Sequence, residues 1–470
     1  MNGNLVLKCV GVFVAGGLLL VGSASAQTTG TVKVSNAIEG NPIPGLSAAR
    51  CGTNIVVGFA DAEGVPAGST TAGPGFAVSK DGGKTFSDLG VLSDPSLGFG
   101  GGDSAVIGCA SSSLFYYTTR SVIQPQDGPC AIACTQIMVS PSVNGGMSWG
   151  AAAAASTATF DIYNLQSPAM AIDPTNPKRI YVAYINHNFA PPNDYPGCGG
   201  GGDEYILEVV TSTDGGNTWN GRSPNSPGGT GSPNLQPDHT CFSYTDFGPQ
   251  HTGSLAAPSV VVSPTGTLYV AYEFVAEGIN GPPAPNEIRF TRSVDGGNTF
   301  SAPITVSRYA INNALPEIAV DRTNSPHRGQ IFLTWSGAPA GTYTSVLESD
   351  SLNAGLSFSF PRPINGTPGA GLGRFQANPA IAVDNDGQVQ ICYYNTPTNT
   401  PTSTSVYSYN CATSFNHAAT WQLQRVANSA IVGYDAVTSD FLTHHDGFFN
   451  AFELQTNGVR HVAGQFSDIN

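Results

Sequence analysis

Charged residues are scarce in this chain of 470 residues, where Asp, Glu, Lys and Arg together make up 11%. The 18 basic side chains are outnumbered by 32 acidic ones, so the formal net charge is −14 at pH 7. This shortage of positive charge argues against nucleic acid and anionic membranes as partners. No segment after residue 26 is long and apolar enough to cross a bilayer. No membrane span is therefore predicted.

Several motifs of catalysis and metal binding are also missing. The chain contains no H-E-x-x-H, G-x-S-x-G or P-loop motif and no C-x-x-C zinc spacing. Asp194, Asp203 and Glu204 could offer oxygen ligands to calcium, but their spacing matches no calcium-binding loop. We predict neither a cofactor nor a bound metal.

What the chain does have is a repeated box with the pattern S-x-D-x-G-x-T-[FW]. Three strong copies and three copies with Asn in place of Asp centre on Asp81, Asp214, Asp295, Asn144, Asn353 and Asn416. Six copies indicate a repeat protein. The Asp or Asn side chain accepts backbone N–H groups and the Gly supplies a positive φ, so the box predicts a tight turn between two strands. We interpret these residues as structural, because a repeated turn cannot bring six carboxylates to one site.

A second repeat alternates with the boxes and reads P-x-h-A-h-D…G-x-h-Y-V-A-Y. Its copies are Pro168–Tyr184, Pro258–Tyr272, Pro316–Trp335, Pro379–Tyr393 and the weaker Gly45–Phe59, Ser104–Tyr117 and Ser439–Phe452. Each copy predicts two strands, and the segments before and after a box predict a third and a fourth. Four antiparallel strands per unit are typical of a propeller blade.

The predicted fold is therefore all-β, a single β-propeller with seven four-stranded blades favoured and six as the alternative. The last unit runs out of chain after its third strand, Val459–Phe466. The segment Thr31–Ser35 would supply the missing outer strand and close the ring, which removes exposed strand edges.

The six boxes resemble the Asp-box (BNR) repeats of sialidase-like β-propellers, and the resemblance covers nearly all of the chain after residue 26. It implies a propeller fold. It says little about function, because the boxes in that family lie away from the active site. Active members also carry an Arg-Ile-Pro element and an arginine triad. The corresponding Asn41-Pro-Ile-Pro44 has no Arg.

Residues 1–26 have the pattern of a secretory signal peptide, which leaves residues 27–470 as the propeller. Lys8 precedes an apolar run from Val10 to Val21, and Ala24-Ser-Ala26 forms a small-x-small cleavage site. We expect a monomeric protein that is secreted, periplasmic or on the cell surface. Eight of the nine cysteines remain after cleavage, which favours disulfides. The blade map pairs Cys392 with Cys411, Cys198 with Cys241, Cys51 with Cys109 and Cys130 with Cys134.

Candidate site residues lie on the face opposite the boxes, where the long connections fall. The residue that follows the opening of the first strand is an acid in only two copies, Glu317 and Asp440, which are the candidate catalytic pair. The alternative is two separately solvated acids. Candidate ligand-binding residues at the ends of second strands and nearby are Arg120, Glu273, Trp335, Arg374 and Tyr394.

Two classes of function stay open on this sequence. The first is a glycan- or protein-binding module that acts through the long-loop face. The second is a sialidase-like glycoside hydrolase that uses the carboxylates near the propeller axis. Only Arg120 and Arg374 are expected on that face, where they could bind a substrate carboxylate. This shortage of arginines favours the binding module.

Overall fold

The computed structural model describes residues 47–61, 73–92, 105–123, 134–156, 163–188, 202–220, 237–243, 253–276, 285–311, 314–338, 344–365, 375–396, 406–425, 431–432, 451–456 and 459–464. Every regular element in these ranges is a β-strand. Within the same ranges, no helix could cross a membrane. The protein is thus all-β over its described part, as predicted.

Six antiparallel units of four strands follow one another along the described chain, and we call each unit a sheet; the fourth and fifth are also joined to each other by the single pairing of Ala310 with Gly337. The first three units are β1 (Ser47–Cys51), β2 (Asn54–Asp61), β3 (Gly73–Ser79), β4 (Ser87–Val91); β5 (Val106–Cys109), β6 (Phe115–Ile123), β7 (Cys134–Ser142), β8 (Ala153–Ala154); and β9 (Tyr163–Asp173), β10 (Asn176–Asn188), β11 (Gly202–Ser212), β12 (Asp238–Ser243).

The next three units are β13 (Gly253–Val262), β14 (Leu268–Ala276), β15 (Asn286–Ser293), β16 (Ile304–Ala310); β17 (Glu317–Val320), β18 (Ile331–Gly337), β19 (Ser345–Ser351), β20 (Arg362–Pro363); and β21 (Phe375–Val383), β22 (Val389–Thr396), β23 (Val406–Ser414), β24 (Gln422–Arg425). A short β25 (Ile431–Val432) pairs with β23, and β26 (Ala451–Thr456) pairs with β27 (Val459–Gly464).

The first strands of successive sheets contact one another, from β1 to β5 and so on through β9, β13, β17 and β21. Four-stranded meanders joined in this way are consistent with propeller blades. β27 lies within the third strand predicted for the last unit, Val459–Phe466, whereas β26 overlaps the predicted second strand, which ends at Phe452, only at Ala451 and Phe452. The number of blades stays a prediction, and the proposed closing strand Thr31–Ser35 lies outside the described residues.

Apolar side chains fill the space between neighbouring sheets. Between the fourth and fifth sheets, Tyr269 and Phe290 pack with Leu333, Trp335 and Leu347 in one buried cluster. The β-branched and aromatic residues of alternating strand positions build this layer because opposite faces of each sheet meet a neighbour. The packing holds the strand ends, and hence any site built there, on a rigid frame.

Each box begins at the last residue of a third strand, namely Ser79, Ser142, Ser212, Ser293, Ser351 and Ser414. In the fifth sheet Val320, Ile331 and Ser351 lie opposite one another, so the first turn and the box share one end of the sheet. We call this the box end. Glu317 and Ser345 begin their strands at the other end, which we call the far end.

The box at 293–300 shows why the motif needs its residue types. Asp295 Oδ1 accepts hydrogen bonds from Ser293 Oγ at 2.8 Å and from the backbone N–H of Thr299 at 2.9 Å, and its Oδ2 accepts one from Thr299 Oγ1 at 2.6 Å. Ser293 Oγ also accepts the N–H of Gly297 at 2.9 Å. Gly296 and Gly297 have φ of 75° and 85°. Both oxygens of the Asp295 carboxylate therefore accept hydrogen bonds within their own turn.

Asparagine boxes keep this geometry without the charge. Asn353 Oδ1 accepts from Ser351 Oγ at 2.9 Å and from the N–H of Ser357 at 3.0 Å, while its Nδ2 donates to Ser357 Oγ at 2.8 Å. The hydroxyl that donates to Asp in the strong boxes here accepts from the amide. This reversal explains why Asp and Asn both serve at this position.

Two of the predicted disulfides are present. Cys51 and Cys109 join the ends of β1 and β5, with Cα atoms 6.2 Å apart. Cys392 and Cys411 lie directly opposite each other on β22 and β23, with Cα atoms 4.0 Å apart. The first disulfide crosses between neighbouring sheets, and the second lies within one sheet.

The other two pairings, Cys198 with Cys241 and Cys130 with Cys134, stay predictions because Cys130 and Cys198 lie outside the described residues. The blade map assigns Cys241 to the connection between the third and fourth units, but the structure places it in β12, opposite Glu204 of β11. The fourth described strand of this sheet begins at Asp238, and residues 221–236, which follow the box at 212–219, lie outside the described residues.

Candidate ligand-binding site

Glu317 is the first residue of β17, at the far end of the fifth sheet. Ser259 of β13, in the neighbouring sheet, donates from Oγ to Glu317 Oε2 at 2.9 Å and accepts the N–H of Ile318 at 3.2 Å. The Glu317 side chain is buried, with 8% exposure. Burial raises its pKa to about 8, and the bond from Ser259 opposes that rise. The carboxyl is therefore protonated at neutral pH.

Glu273 of β14 supports the chain that leads into Glu317. Its Oε2 accepts the N–H of Ala314 at 2.9 Å, and the carbonyl of Ala314 accepts the N–H of Ser336 at 2.7 Å. The side chain of Glu273 is completely buried. The structure therefore makes Glu273 a positioning group for the segment just before β17.

A left-handed residue precedes the opening proline of the first strand in four successive sheets. These residues are Ser167, Ala257, Leu315 and Asn378, with φ of 51°, 47°, 51° and 54°. None is a glycine, and each such conformation costs about 1–3 kcal/mol. Three of them fall at a register shift between the first two strands. The strained residue thus recurs in the far half of these sheets: it lies inside β9, β13 and β21, and just before β17.

Several buried polar atoms at the same end have no hydrogen-bond partner among the described residues. They are Trp335 Nε1, Ser336 Oγ, Asn378 Oδ1 and Asn395 Oδ1, and comparable atoms in or next to the boxes are Trp149 Nε1, Tyr181 Oη and His417 Nδ1. The first four belong to the fifth and sixth sheets, which are joined by the bond from the N–H of Val346 to Gln376 Oε1 at 3.2 Å. Buried polar groups are nearly always paired in folded proteins. Water or a ligand can therefore complete the bonding of these four atoms at the far end.

A second buried acid lies across the fifth sheet from Glu317. Glu317, Thr334, Glu348 and Arg362 are successive cross-strand partners. Burial raises the pKa of Glu348 to about 7, although Arg362, whose Nη2 lies 3.0 Å from Glu348 Oε2, opposes the rise. The fifth sheet therefore carries two carboxyls that change charge near neutral pH.

The predicted site residues differ in their burial and in the end of the sheets at which they lie. Glu317, Glu273 and Arg120 are buried at the far ends of the fifth, fourth and second sheets, and Arg120 has 8% exposure. Trp335 is completely buried in the cluster between the fourth and fifth sheets, and Tyr394 is 3% exposed, so protein atoms cover both rings. Arg374 and Asp440 lie outside the described residues. The box residues lie at the other end of the sheets.

Sequence reasoning missed three residues of this region, Asn378, Glu348 and Ser336. Asn378 stands directly before Pro379, in the position that Leu315 occupies before Pro316. The alignment of first strands could have found it, since Asn is among the residues that tolerate a positive φ. Glu348 and Ser336 carry no local signal, because their burial depends on the packing of neighbouring strands.

No family model matches this chain, and no curated protein matches it. Among solved structures it is similar to a Hadza microbial sialidase, at 14% identity over 77% of this chain and 68% of that chain, with a TM-score of 0.42. It is also similar to a Penicillium chrysogenum alpha-L-arabinanase (14% identity, 77% and 93% coverage, TM-score 0.49) and to an ulvan lyase (10% identity, 94% and 97% coverage, TM-score 0.48). Similarity at this level assigns no activity and no residue role.

Proposed function

We propose that this protein binds glycan at the far end of its sheets, with Glu317 and Asn378 among the contacting groups. One observation carries the proposal: four buried polar atoms of the fifth and sixth sheets have no hydrogen-bond partner among the described residues, at the end that also carries Glu317, whose pKa burial raises to about 8. Sugar hydroxyls both donate and accept hydrogen bonds, so a glycan can pair with an amide oxygen and an indole N–H and can also contact a carboxylic acid. An apolar ligand would leave the amide oxygens and the indole N–H unpaired.

The polar groups at the far end differ in how much of their surface is exposed to solvent. Glu317 and Asn378 keep 8% and 4% of their surface exposed, whereas Trp335 and Ser336 have none. We therefore assign direct contact to Glu317 and Asn378, and a supporting role through water to Trp335 and Ser336. Arg120, 8% exposed on the second sheet, is a further candidate contact. Arg374 and Tyr394 remain weaker candidates, because the first is not described and the second is covered.

A second candidate function is glycoside hydrolysis, and the protonated state of Glu317 favours it. A carboxylic acid that keeps its proton at neutral pH can protonate a glycosidic oxygen, while an ionised carboxylate on the other side acts as nucleophile or base. Asp440 is the proposed partner on sequence grounds. In this reading Glu273 holds the segment before Glu317, as it does for binding.

A glycan array combined with a panel of fluorogenic glycosides tests both functions on the full-length protein. Asn378→Gly removes the amide and suits the positive φ, so binding should weaken roughly two- to tenfold for one lost hydrogen bond, about 0.5–1.5 kcal/mol. Ala257→Gly makes the equivalent backbone change in the fourth sheet and should leave binding unchanged. Equal binding by both variants would overturn the site, and absence of any glycan binding would overturn the function.

Glu317→Gln separates the two functions. Glutamine keeps an oxygen that can accept the bond from Ser259, but it cannot donate a proton to a leaving group. If the protein is a hydrolase, turnover in this variant should fall by at least a hundredfold while glycan binding persists. If it is a binding module, no glycoside in the panel is turned over by either form.

A further inference from the structure

Two pairs of neighbouring boxes are linked by a cationic side chain that reaches one backbone carbonyl, that of the fourth residue of the box. In the box at 142–149 this is Gly145 O, which accepts a hydrogen bond from Lys80 Nζ of the preceding box at 2.7 Å. In the box at 351–358 it is Ala354 O, which accepts from Arg292 Nη1 at 2.6 Å. In both places a long cationic side chain fills the space between two boxes.

The junction between the boxes at 212–219 and 293–300 has no such cation among its described residues. Threonines stand at both of the positions that supply a cation elsewhere: Thr213 corresponds to Lys80 and Thr211 to Arg292. The equivalent carbonyl, Gly296 O, accepts a hydrogen bond from Thr211 Oγ1 at 3.4 Å. Thr211 thus reaches the next box through one long hydrogen bond, and a groove remains beside it.

An open groove of about 390 Å³ occupies this junction, lined by both threonines together with Arg179, Trp219, Asn220 and Asn298. The volume is at the lower end of the range of about 300–1,000 Å³ that small-molecule sites occupy. Trp219 donates from Nε1 to Gly216 O at 3.0 Å, and Asn220 Oδ1 accepts the N–H of Thr211. The aromatic wall and one amide are thus fixed by the fold.

The groove carries no free positive charge on its described lining. Arg179, whose side chain is 35% exposed, pairs through Nη1 with Asp173 Oδ2 at 3.2 Å. The Asp295 carboxylate, whose pKa the hydrogen bonds within its turn lower to about 2, is ionised and lies on the other wall. No excess of positive charge is available for an anionic ligand, and the whole chain is negative. Hydroxyls and amides around one indole suit an uncharged polar ligand with apolar faces.

We propose that this groove is a binding site for a neutral oligosaccharide, separate from the site at the far end of the sheets. The proposal does not depend on the function proposed above, because it rests on the box end alone. Together with the far-end site, this groove would give the protein two glycan-binding sites at opposite ends of its sheets.

The test fills the groove with a side chain that the fold already accepts elsewhere. Thr213→Lys reproduces the lysine of the box at 79–86, and Thr211→Arg reproduces Arg292. Val294→Lys places the same residue at the equivalent position of the next box, where the side chain is 72% exposed and the junction is already closed. Binding of maltotriose, cellotriose, xylotriose and mannotriose is measured by titration calorimetry, with thermal unfolding of every variant as a check on folding.

We expect at least one of these trisaccharides to bind, Thr213→Lys and Thr211→Arg to weaken that binding at least tenfold, and Val294→Lys to leave it unchanged. Asn378→Gly, at the other end, should leave it unchanged as well, so failure here is distinguishable from failure of the far-end site. The proposal is overturned if none of the four binds, or if both filled variants bind as tightly as the parent. It is also overturned if both filled variants fail to fold, since the argument requires the cation to fit.

Discussion

Replacing Glu317 by glutamine removes a carboxyl whose ionisation the fold opposes. The native pKa of about 8 stands against an ordinary value of 4.5, and the cause is burial. A pKa raised in the native state means that the folded chain binds a proton that the unfolded chain has already lost. Stability from this group is therefore complete below pH 4.5 and declines as pH rises toward 8.

The magnitude follows from the two pKa values. Each unit of difference corresponds to about 1.4 kcal/mol, so the full effect is about 5 kcal/mol and the part that falls between pH 5 and pH 8 is about 3–4 kcal/mol. Glutamine accepts the bond from Ser259 and does not ionise. The free energy of unfolding of the parent protein should thus fall by this amount relative to the variant across that range.

Urea unfolding of both proteins at pH 5, 6, 7 and 8 measures this difference directly. Other titrating groups change in both proteins and cancel in the comparison. Glu287→Gln is the control. Burial raises the pKa of Glu287, but its pairs with Arg289 and Arg308 outweigh burial and lower the pKa below its ordinary value, so the difference for this variant should not grow with pH in this range. A parent and a Glu317→Gln variant with parallel pH profiles would refute the burial of an uncharged Glu317.

The remaining predictions concern the frame that holds the site. Ser293→Ala leaves the buried N–H of Gly297 unpaired and should lower the free energy of unfolding by about 1–3 kcal/mol. Asp295→Asn copies the boxes that carry Asn and should lower it less. Urea unfolding compares the two variants, and the reverse order would contradict our account of the turn. Loss of the disulfide in Cys392→Ala/Cys411→Ala should lower stability by about 3 kcal/mol for a loop of 19 residues, and unfolding with and without reductant checks it. Deletion of residues 27–37 should lower the thermal unfolding temperature if that segment closes the ring, and an unchanged temperature would remove this reason for seven blades.

The strand pattern could be predicted from the sequence because two signals agree over each unit. Alternating apolar residues mark the strands and the boxes mark the turn between the third and the fourth. Six boxes therefore located six four-stranded units. The third unit departs from the pattern, because its fourth described strand, β12, pairs near the start of β11 and not beside the box. Local pattern cannot show which part of a neighbouring strand a segment will pair with.

The site was less predictable for a different reason. The acid at position 317 stood out from small and apolar residues in the equivalent positions, but its protonation depends on burial and on Ser259 from another sheet. Trp335 was expected to face a ligand because it ends a second strand, yet the neighbouring sheet covers it completely. Burial of a strand end is decided by packing between sheets, which leaves no trace in the periodicity of one strand.

The location of the glycan site is tested most directly by a crystal structure of the protein with the tightest glycan from the array. The account predicts sugar hydroxyl oxygens within hydrogen-bond distance of the Glu317 carboxyl and the Asn378 amide, at the far end of the fifth and sixth sheets. A glycan that contacts neither residue, and that is bound at full occupancy elsewhere on the protein, would contradict it.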